Sequence, residues 1–263
     1  MARPVIALLT DFGTRDHYAG TMKGVALGIC PDATFVDISH DIAAHDILGG
    51  ALELAAAYRY FPVGSIFLVV VDPGVGSSRR GIAAEAGEFT FVAPDNGVLT
   101  AVLDEHPPKR VVELTARKYA RPTVSRTFEG RDRFAPAAAW LAKGIDLAAL
   151  GRSAGAIQRL DIPYPVLAGD RIDGEVLRVD RFGNLITNID RKTFEKIAGE
   201  PLDIRIGLHP VSRVVSTYAD AAPGETCALF GSTDHLEVAS NGANAADALG
   251  LRRGAPVHVA RRA

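Results

Sequence analysis

The chain has 263 residues, of which 48% are hydrophobic and 23% charged, and its formal net charge is −2. This length suffices for one large domain or two modest ones with a well-buried core. The near-neutral charge argues against a nucleic-acid-binding or membrane-surface protein, because such proteins carry an excess of basic residues. No apolar segment approaches the roughly 20 residues that span a bilayer. The N-terminus has too short an apolar core for a signal peptide, so we predict a cytoplasmic protein.

The first 150 residues alternate between strand-like and helix-like segments. The pattern predicts strands at Val5–Thr10, Thr34–Ile38, Ser65–Val71 and Arg110–Leu114, a hairpin of Gly81–Glu85 with Thr90–Val92, and helices at His17–Ile29, Ile47–Tyr60 and Phe134–Lys143. Strands that alternate with helices favour a three-layer α/β domain with a mostly parallel sheet. The apolar run within Ser65–Val71 is typical of a central strand that is buried on both faces.

The second part of the chain has a different pattern. Residues 152–169 lack a sustained period and contain Pro163, Pro165 and Gly169, which indicates a linker. Short strands between turns follow, as in a small β-barrel or sandwich. The predicted strands are Gly174–Val179, Leu185–Ile189, Asp203–Ile206, Arg213–Thr217, Cys227–Gly231, Leu236–Ala239 and Val257–Ala260. We therefore predict an α/β domain over residues 1–160 and a β-barrel-like domain over residues 170–263.

Polar residues cluster where the predicted strands of the first domain end. Asp72 follows the central strand, and Arg79 follows the Gly-rich turn after it. Open α/β sheets bind ligands at the carboxyl ends of their strands, so this pair either holds a polar reactant or merely ties the loop to the strand. Asp11, after the first strand, has a carboxylate that could accept two hydrogen bonds from a vicinal diol. Alternatively, Asp11 or Asp16 caps the helix that follows.

The sequence offers few metal ligands. The segment Asp37–Asp46 is dense in His and Asp, which a metal hydrolase could use, but it lacks the His-Glu-x-x-His spacing and a second cluster. We therefore favour a polar loop before a helix and predict no metal site. Cys30 and Cys227 show neither metal spacing nor a disulfide framework, so we predict buried free thiols.

Further charged and polar segments are open to two interpretations. Thr127–Pro136 places four charged groups around a glycine, and Phe128 and Phe134 are expected to anchor its ends in the core, so it is either a site or a solvated loop. In the second domain, acids, amides or hydroxyls stand beside glycines, as in a ligand site or in plain hairpins. These segments are Val179–Ile189, Phe230–Thr233 and Ala239–Ala245.

Together these motifs resemble the S-adenosylmethionine hydrolases (S-adenosylmethionine hydroxide adenosyltransferases), which are relatives of fluorinase and chlorinase. The similar segments are TDFGTRDHYAGTMKG from Thr10, ICPDATFVDISHDI from Ile29, VVVDPGVGSSRRGIA from Val69, APDNGVLT from Ala93, TFEGRDRFAPAAA from Thr127, DRFGNLITNI from Asp180 and GSTDHLEVASNGANAA from Gly231. The resemblance implies the same two domains and a homotrimer. In that trimer each active site lies between the first domain of one subunit and the second domain of its neighbour.

The reaction that the resemblance implies is attack of water or hydroxide on the 5′ carbon of S-adenosyl-L-methionine, which releases L-methionine and adenosine. No metal or cofactor is expected. Because the sulfonium leaves as a neutral thioether, catalysis needs cation binding, in-line alignment and removal of a water proton, but no general acid. The alternatives are a non-catalytic protein that binds adenosyl ligands and a halide-using relative.

The resemblance also implies roles for single residues. We expect Asp11 to contact the ribose diol, Asp16 and Asp180 the methionine ammonium, and Ser232 the methionine carboxylate. Asn184 and His45 are expected to contact the nucleoside. The backbone of Ser240 and Gly242 is expected to contact the adenine edge. Asp72 and Arg79 match two members of the Asp-Arg-His trio of the family, whereas Glu129 stands at the His position. Our hypothesis is that Glu129 and Asp72 flank the water while Arg79 stabilises the developing hydroxide.

Overall fold

The computed structural model describes residues 3–197 and 201–261 and divides the chain into two units, the first ending at Ile162 and the second beginning at Pro163. Each unit buries apolar residues in clusters of its own. Within the described residues, no helix combines the length and the apolar character that crossing a membrane requires.

The first unit has a mixed α/β structure. Its strands are β1 (Val5–Thr10), β2 (Thr34–Ser39), β3 (Ile66–Val70), β4 (Gly81–Ala86), β5 (Phe89–Pro94), β6 (Pro108–Leu114) and β7 (Gly151–Ser153). Its helices are α1 (Tyr18–Ile29), α2 (Ile47–Ala57), α3 (Thr100–Glu105) and α4 (Ala135–Ala142), with 3-10 turns at Tyr58–Tyr60, Arg117–Tyr119 and Leu147–Leu150 and a π-helical turn at Gly130–Phe134. The predicted elements of this half are present with ends shifted by a few residues, whereas α3 and β7 were not predicted.

The seven strands of the first unit form one sheet in the order β2-β1-β3-β5-β4-β6-β7. Strands β1, β2, β3 and β5 run parallel, whereas β4, β6 and β7 pair antiparallel. The prediction of a mostly parallel sheet is therefore only partly right. The turn Gly87–Glu88 is the reason, because a connection this short between β4 and β5 can join only antiparallel strands.

The central strand β3 is buried over its whole length. Successive side chains of a strand point to opposite faces of the sheet. On one face Leu68 belongs to the same cluster as Met22 of α1, and on the other face Phe67 belongs to the same cluster as Leu54 of α2. This packing holds β3 in place and presents Asp72, two residues beyond it, at the carboxyl edge of the sheet.

The second unit consists mainly of strands. They are β8 (Val166–Ala168), β9 (Arg171–Val179), β10 (Leu185–Asp190), β11 (Leu202–Ile206), β12 (His209–Val211), β13 (Thr226–Phe230), β14 (His235–Ser240) and β15 (Pro256–Arg261), with short helices α5 (Arg191–Glu195) and α6 (Ala245–Leu249) and a 3-10 turn at Tyr218–Asp220. The sheet has the order β12-β11-β15-β9-β10-β14-β13, and β8 pairs with β9. Its terminal strands β12 and β13 also contact each other, so the sheet is nearly barrel-shaped.

Two predictions for this half of the chain need correction. The segment Arg213–Thr217 is not a strand but forms an isolated bridge to Ala228 of β13. Its pairing ends there because the Asp220 carboxylate accepts the backbone N–H groups of Ser216 and Thr217 over 3.1 and 3.0 Å. The predicted linker over residues 152–169 does contain the boundary between the two units, but it also contains the end of β7 and all of β8. These strands are short and lack an alternating pattern, so their sequence alone did not reveal them.

Candidate active site

Three charged side chains of the first unit meet beyond the carboxyl end of β3. Arg79 donates from Nε to Oδ1 of Asp72 over 2.8 Å and from a terminal nitrogen to Oδ2. Its other terminal nitrogen donates to Oε2 of Glu129 over 2.8 Å. The side chains of Asp72, Arg79 and Glu129 are only 5%, 9% and 12% exposed. The structure thus brings together three residues that the sequence analysis selected, although two of them lie 50 positions apart.

The loop after β3 folds Arg79 back onto Asp72. The N–H of Val75 donates to the carbonyl of Asp72 over 3.2 Å, and the N–H of Arg79 donates to Oγ of Ser77 over 3.2 Å. Gly76, at φ +78°, passes the backbone of Arg126 so closely that a Cβ would lie 2.4 Å from its carbonyl oxygen. Only glycine fits both that conformation and that approach, so the Gly-rich turn is needed for the geometry of the charged cluster.

The ring of Phe134 supports Arg79 from the side of the core. The Arg79 guanidinium carbon lies 5.2 Å from the centre of this fully buried ring. Gly81, at the start of β4, makes room for the ring, since a Cβ there would meet Cε1 of Phe134 at 2.4 Å. As predicted, Phe128 and Phe134 anchor both ends of the charged segment in the core, where they are 9% and 0% exposed.

Glu129 has a second cationic neighbour that the sequence analysis missed. Arg133, one helical turn further on, donates to Oε2 of Glu129 over 3.4 Å and to the carbonyl of Leu114 over 3.1 Å. Arg79 and Arg133 therefore use the same carboxylate oxygen. From the described residues, Oε1 of Glu129 receives no hydrogen bond, so it can accept a proton or a hydrogen bond from a ligand.

Burial and pairing act in opposite directions on this cluster. Burial raises the pKa of Asp72, the Arg79 contacts oppose that shift only in part, and the charge of Glu129 adds to it. Burial works to lower the pKa of Arg79, but the carboxylates of Asp72 and Glu129 outweigh burial and raise it. Arg79 therefore stays charged between two acids. The raised pKa of Asp72 means that this carboxyl group binds a proton more readily than an exposed aspartate does.

An aromatic pocket of about 150 Å³ adjoins the two acids. Asp72 and Glu129 line it together with Phe12, Tyr18 and Phe128. The three rings contact one another, with centres 5.1–6.0 Å apart. The pocket thus places apolar ring surfaces next to two carboxylates, which suits a cationic organic ligand.

The loop after β1 holds the remaining candidates of the first unit. Oδ2 of Asp11 accepts the backbone N–H of His45 over 2.9 Å, so these two predicted residues are adjacent. Asp16 is exposed. The helix-cap alternative is wrong for both acids, because α1 begins after His17 and no side chain caps it. Asp11 therefore braces the loop at His45 and remains available to a ligand.

The His- and Asp-rich segment of the first unit forms an internal network. Nδ1 of His40 lies 2.8 Å from the hydroxyl of the fully buried Thr10, and Lys23 donates to Asp37, whose other oxygen lies 3.0 Å from Nε2 of His40. Across residues 3–197 and 201–261, no three His, Cys, Asp or Glu side chains are grouped as metal ligands. The two cysteines are buried free thiols, as predicted.

A larger pocket, of about 950 Å³, lies in the second unit. It is lined by all five substrate-binding candidates of that half, namely Asp180, Asn184, Ser232, Ser240 and Gly242. Sequence positions spread over more than 60 residues therefore converge on one cavity.

The β9–β10 turn presents Asp180 to this pocket. Oδ1 of Asp180 accepts the N–H groups of Phe182 and Asn184 over 2.9 and 2.8 Å, and Oδ2 accepts the Asn184 side-chain amide over 2.9 Å. Gly183 has φ +87°, and a Cβ there would collide with the side chain of Asn244 at 2.0 Å. The turn is thus rigid, and the Asp180 carboxylate retains lone pairs for a further donor.

Two residues of this pocket escaped the sequence analysis. Glu237 of β14 is only 5% exposed, and the hydroxyl of Tyr218 donates to its Oε1. Both line the pocket. The sequence did contain a signal for Glu237, which stands within the apolar run Leu236–Ala239. Burying an acid costs free energy unless the acid has a partner, so its presence there indicates a specific role. Tyr218 had no such signal, since a tyrosine in a turn is ordinary.

Comparison with protein families gives two adjacent matches. Residues 6–151 match the SAM hydroxide adenosyltransferase N-terminal domain, and residues 174–258 match the SAM hydroxide adenosyltransferase C-terminal domain.

Individual proteins match along nearly their full length. An (R)-S-adenosyl-L-methionine hydrolase of Salinispora tropica is 39% identical and one of Thermus thermophilus is 37% identical, over 97% and 98% of this chain and 97% and 99% of theirs. A fluorinase of an Actinoplanes species is 31% identical over 97% of both chains. The crystal structure of an uncharacterized conserved protein from Thermotoga maritima superposes with a TM-score of 0.93 at 35% identity, over 97% of this chain and 100% of that one.

Proposed function

Because this chain belongs to the SAM hydroxide adenosyltransferase family, we infer that it is an enzyme that hydrolyses S-adenosyl-L-methionine to adenosine and L-methionine. We propose Asp72, Arg79 and Glu129 as its catalytic residues. Water attacks the 5′ carbon in line with the carbon–sulfur bond, the bond to sulfur breaks, and methionine leaves as a neutral thioether. The reaction needs a proton acceptor for the water, and no metal ion is part of the proposal.

One observation favours Glu129 as that acceptor. Both oxygens of Asp72 already accept hydrogen bonds from Arg79, whereas Glu129 is bonded through Oε2 alone. Its Oε1 receives no bond from the described residues, and Glu129 lines the aromatic pocket. A water in that pocket can therefore donate to Oε1 of Glu129 and lose its proton there.

The other two residues support the proton transfer. Asp72 binds Arg79 through two bonds, which fixes the plane of the guanidinium beside the pocket. A fixed positive charge stabilises the hydroxide as it forms, and in a water-poor site this effect is larger than in bulk water. Asp72 thus acts on the water through Arg79 and through its own charge.

The pockets suggest where the substrate lies. The rings of Phe12, Tyr18 and Phe128 offer their faces to the sulfonium and the 5′ methylene. We propose that Asp11 binds the ribose diol with His45 beside it, and that Asp16 serves the methionine ammonium, as the family resemblance implies.

The second-unit pocket takes the remaining groups in this proposal. Asp180 binds the ammonium, Ser232 the carboxylate and Asn184 the nucleoside, while backbone groups of Ser240 and Gly242 read the adenine edge. The support is that all five line one cavity of about 950 Å³.

The proposal includes a cytoplasmic homotrimer, with each site formed by the first domain of one subunit and the second domain of its neighbour. It assigns residues 1–160 to nucleoside binding and catalysis and residues 170–263 to the β-barrel-like domain. The names of the relatives specify the (R) epimer at sulfur. We propose the same preference here.

A halide-using reaction is less compatible with the cluster. Asp72 and Glu129 line the pocket, whereas Arg79 and Arg133 lie behind these carboxylates and do not line it. A halide in the pocket would therefore meet the two acids first and be repelled. A protein that only binds adenosyl ligands remains the alternative, since binding does not need the proton acceptor.

The experiment that tests the proposed function uses the purified protein, each epimer of S-adenosyl-L-methionine and water enriched in ¹⁸O. We expect L-methionine and adenosine with one ¹⁸O at the 5′ position, formed faster from the (R) epimer. Parallel reactions contain chloride or fluoride, and mass analysis searches for halogenated nucleoside. Binding without methionine release would support the binding-protein alternative, and a halogenated product would overturn the hydrolase assignment.

A further inference from the structure

Glu237 is a buried acid in the wall of the second-unit pocket to which the proposed mechanism gives no role. It stands in β14 between Leu236 and Val238, both of which are buried in the core. Because strand side chains alternate, Glu237 points away from that core, and it lines the pocket at 5% exposure. A carboxylate so enclosed is costly unless something pairs with it.

The two carboxylate oxygens of Glu237 have different neighbours. The Tyr218 hydroxyl donates to Oε1. Oε2 packs against the backbone of Gly231, where a Cβ would lie only 2.2 Å away. The next residue after Gly231 is Ser232, which lines the same pocket. Glu237 therefore lies against the residue that precedes Ser232, the proposed ligand of the substrate carboxylate.

The charges around Glu237 leave room for a cation. Burial raises the pKa of this carboxyl, the Tyr218 hydroxyl opposes the shift, the charge of Asp180 adds to it, and Arg178 opposes it. These groups come from the 3-10 turn, the β9–β10 turn and β9. Asp180, Glu237 and Arg178 line one cavity, in which, among the described residues, two acids face a single arginine, so an added positive charge would stabilise both acids in their ionised form.

An amino acid end group supplies that charge at the required place. Its ammonium and carboxylate are attached to the same carbon, so the acid that binds the ammonium must lie next to the group that binds the carboxylate. Glu237 meets this condition, because it packs against the residue that precedes Ser232. Adenosine and other nucleosides without an amino acid carry no such cation.

We propose that Glu237 and Asp180 together bind the ammonium group of the substrate, and that Glu237 thereby sets the preference for adenosyl compounds with an amino acid end over plain nucleosides. This inference rests on the proposed function, because it assumes that an adenosyl compound occupies the second-unit pocket. Glu237 is then a specificity-determining residue and not only an anchor for Tyr218.

The test compares ligands that differ in the amino acid end, with the full chain and titration calorimetry. S-adenosyl-L-homocysteine has the ammonium and a neutral sulfur, whereas adenosine and 5′-methylthioadenosine lack the ammonium. In Glu237→Gln the shape and an acceptor for Tyr218 persist but the charge is lost. We expect the Kd for S-adenosyl-L-homocysteine and the KM for S-adenosyl-L-methionine to rise about tenfold or more, with the Kd of both nucleosides within about twofold of the wild type.

Three further variants separate charge from packing. Tyr218→Phe removes the hydrogen bond but keeps the carboxylate, so the preference for S-adenosyl-L-homocysteine over adenosine should persist. Glu237→Asp, which keeps the charge, should preserve that preference and covers the case in which Glu237→Gln fails to fold. Glu195→Gln changes the charge of an exposed acid at the end of α5 in the same unit and should change nothing.

The outcomes of this binding test can be told apart from those of the test of the proposed function. If Glu237→Gln lowered the affinity for all ligands equally, Glu237 would only support the shape of the pocket, and the inference would be overturned. Unchanged affinities would overturn it as well. A wild-type protein that binds S-adenosyl-L-homocysteine but releases no methionine from either epimer would overturn the hydrolase assignment alone. The role of Glu237 would still be decided by the selectivity of binding.

Discussion

Arg79 lies between two carboxylates, and this sharing gives each residue of the cluster a different task. Asp72 uses both oxygens on Arg79, while Glu129 uses one on Arg79 and Arg133. The family resemblance implies a histidine where this chain has Glu129. A glutamate accepts a proton from water as a histidine does, but it starts negatively charged and so depends on the two arginines for its place beside Asp72.

Substitution of Glu129 tests its role at the scale of one side chain. Glu129→Gln keeps the size of the side chain but cannot accept the proton, so we expect kcat to fall about 10²- to 10⁴-fold while KM changes little. Glu129→His should retain measurable activity, since imidazole can accept a water proton. Methionine release under saturating substrate is the measurement.

The matched control is Glu88→Gln, a change of the same type at an exposed position of the first unit. It should leave kcat at the wild-type value. If Glu129→Gln turned over at the wild-type rate across the pH range, another group would have to take the proton.

The segment before α4 shows how an element can hold a charged cluster in place. Its π-helical turn Gly130–Phe134 follows Glu129 directly. Asp132 in this turn is fully buried, accepts two bonds from Arg131 over 2.7 and 2.8 Å, and accepts the backbone N–H of Ser125 over 2.8 Å. These bonds close the loop on itself, so Glu129 is presented by a braced turn and not by a mobile loop.

The stability of this turn depends on the ionisation of Asp132. Burial works to raise its pKa, but the Arg131 side chain and the Ser125 N–H outweigh burial and lower it below the ordinary 3.8. A lowered folded-state pKa contributes stability that is present above 3.8 and is lost as the pH falls through the folded-state value. Acid therefore weakens the support of Glu129.

Asp132→Asn is expected to lower the free energy of unfolding by about 1–3 kcal/mol at pH 7. The difference from the wild type should shrink as the pH falls below 3.8 and vanish below the lowered folded-state pKa, because only there is the wild-type carboxyl protonated in the folded protein too. Urea unfolding of both proteins over this pH range measures the effect. Asp32→Asn, at an exposed acid after α1, is the control and should stay within about 0.5 kcal/mol. A pH-independent loss in Asp132→Asn would contradict the argument.

At the scale of the whole molecule, the two units carry complementary parts of the proposed chemistry. The first unit holds the charged cluster and the aromatic pocket, and the second holds the larger polar pocket. The proposed proton acceptor Glu129 lines the first-unit pocket, and the proposed amino acid ligands Asp180 and Ser232 line the second-unit pocket. In the proposed homotrimer, neighbouring subunits supply these parts to one site.

If each active site is formed by two subunits, two variants that are inactive alone should restore activity when they assemble together. Glu129→Gln disables the first unit and Asp180→Asn the second, so each homotrimer should be nearly inactive. Co-expression in equal amounts should restore about a quarter of the wild-type activity, because random assembly leaves that share of sites with two intact halves. Sedimentation velocity should show a mass of three chains. A monomer, or mixed trimers without recovered activity, would contradict the shared sites.

Local patterns in the sequence were sufficient for most of the first unit and for the residues at its strand ends. The apolar runs of β1 and β3, the turn chemistry around Gly76 and the anchoring of Phe128 and Phe134 follow from side-chain size, polarity and backbone freedom within a few positions. Arg213–Thr217 shows the limit of such patterns, because it forms only an isolated bridge to Ala228 of β13 before the N–H groups of Ser216 and Thr217 turn to Asp220.

What the sequence by itself determined is most of the elements, the α/β class and the group of charged residues at the strand ends, since each depends on short-range chemistry. Only the tertiary structure decided that Arg79 joins two acids, that Arg133 shares an oxygen of Glu129, and that Glu237 lies against Gly231 under Tyr218. Those contacts depend on which strands pair and in which register, and pairing is a property of the whole chain that no local pattern specifies.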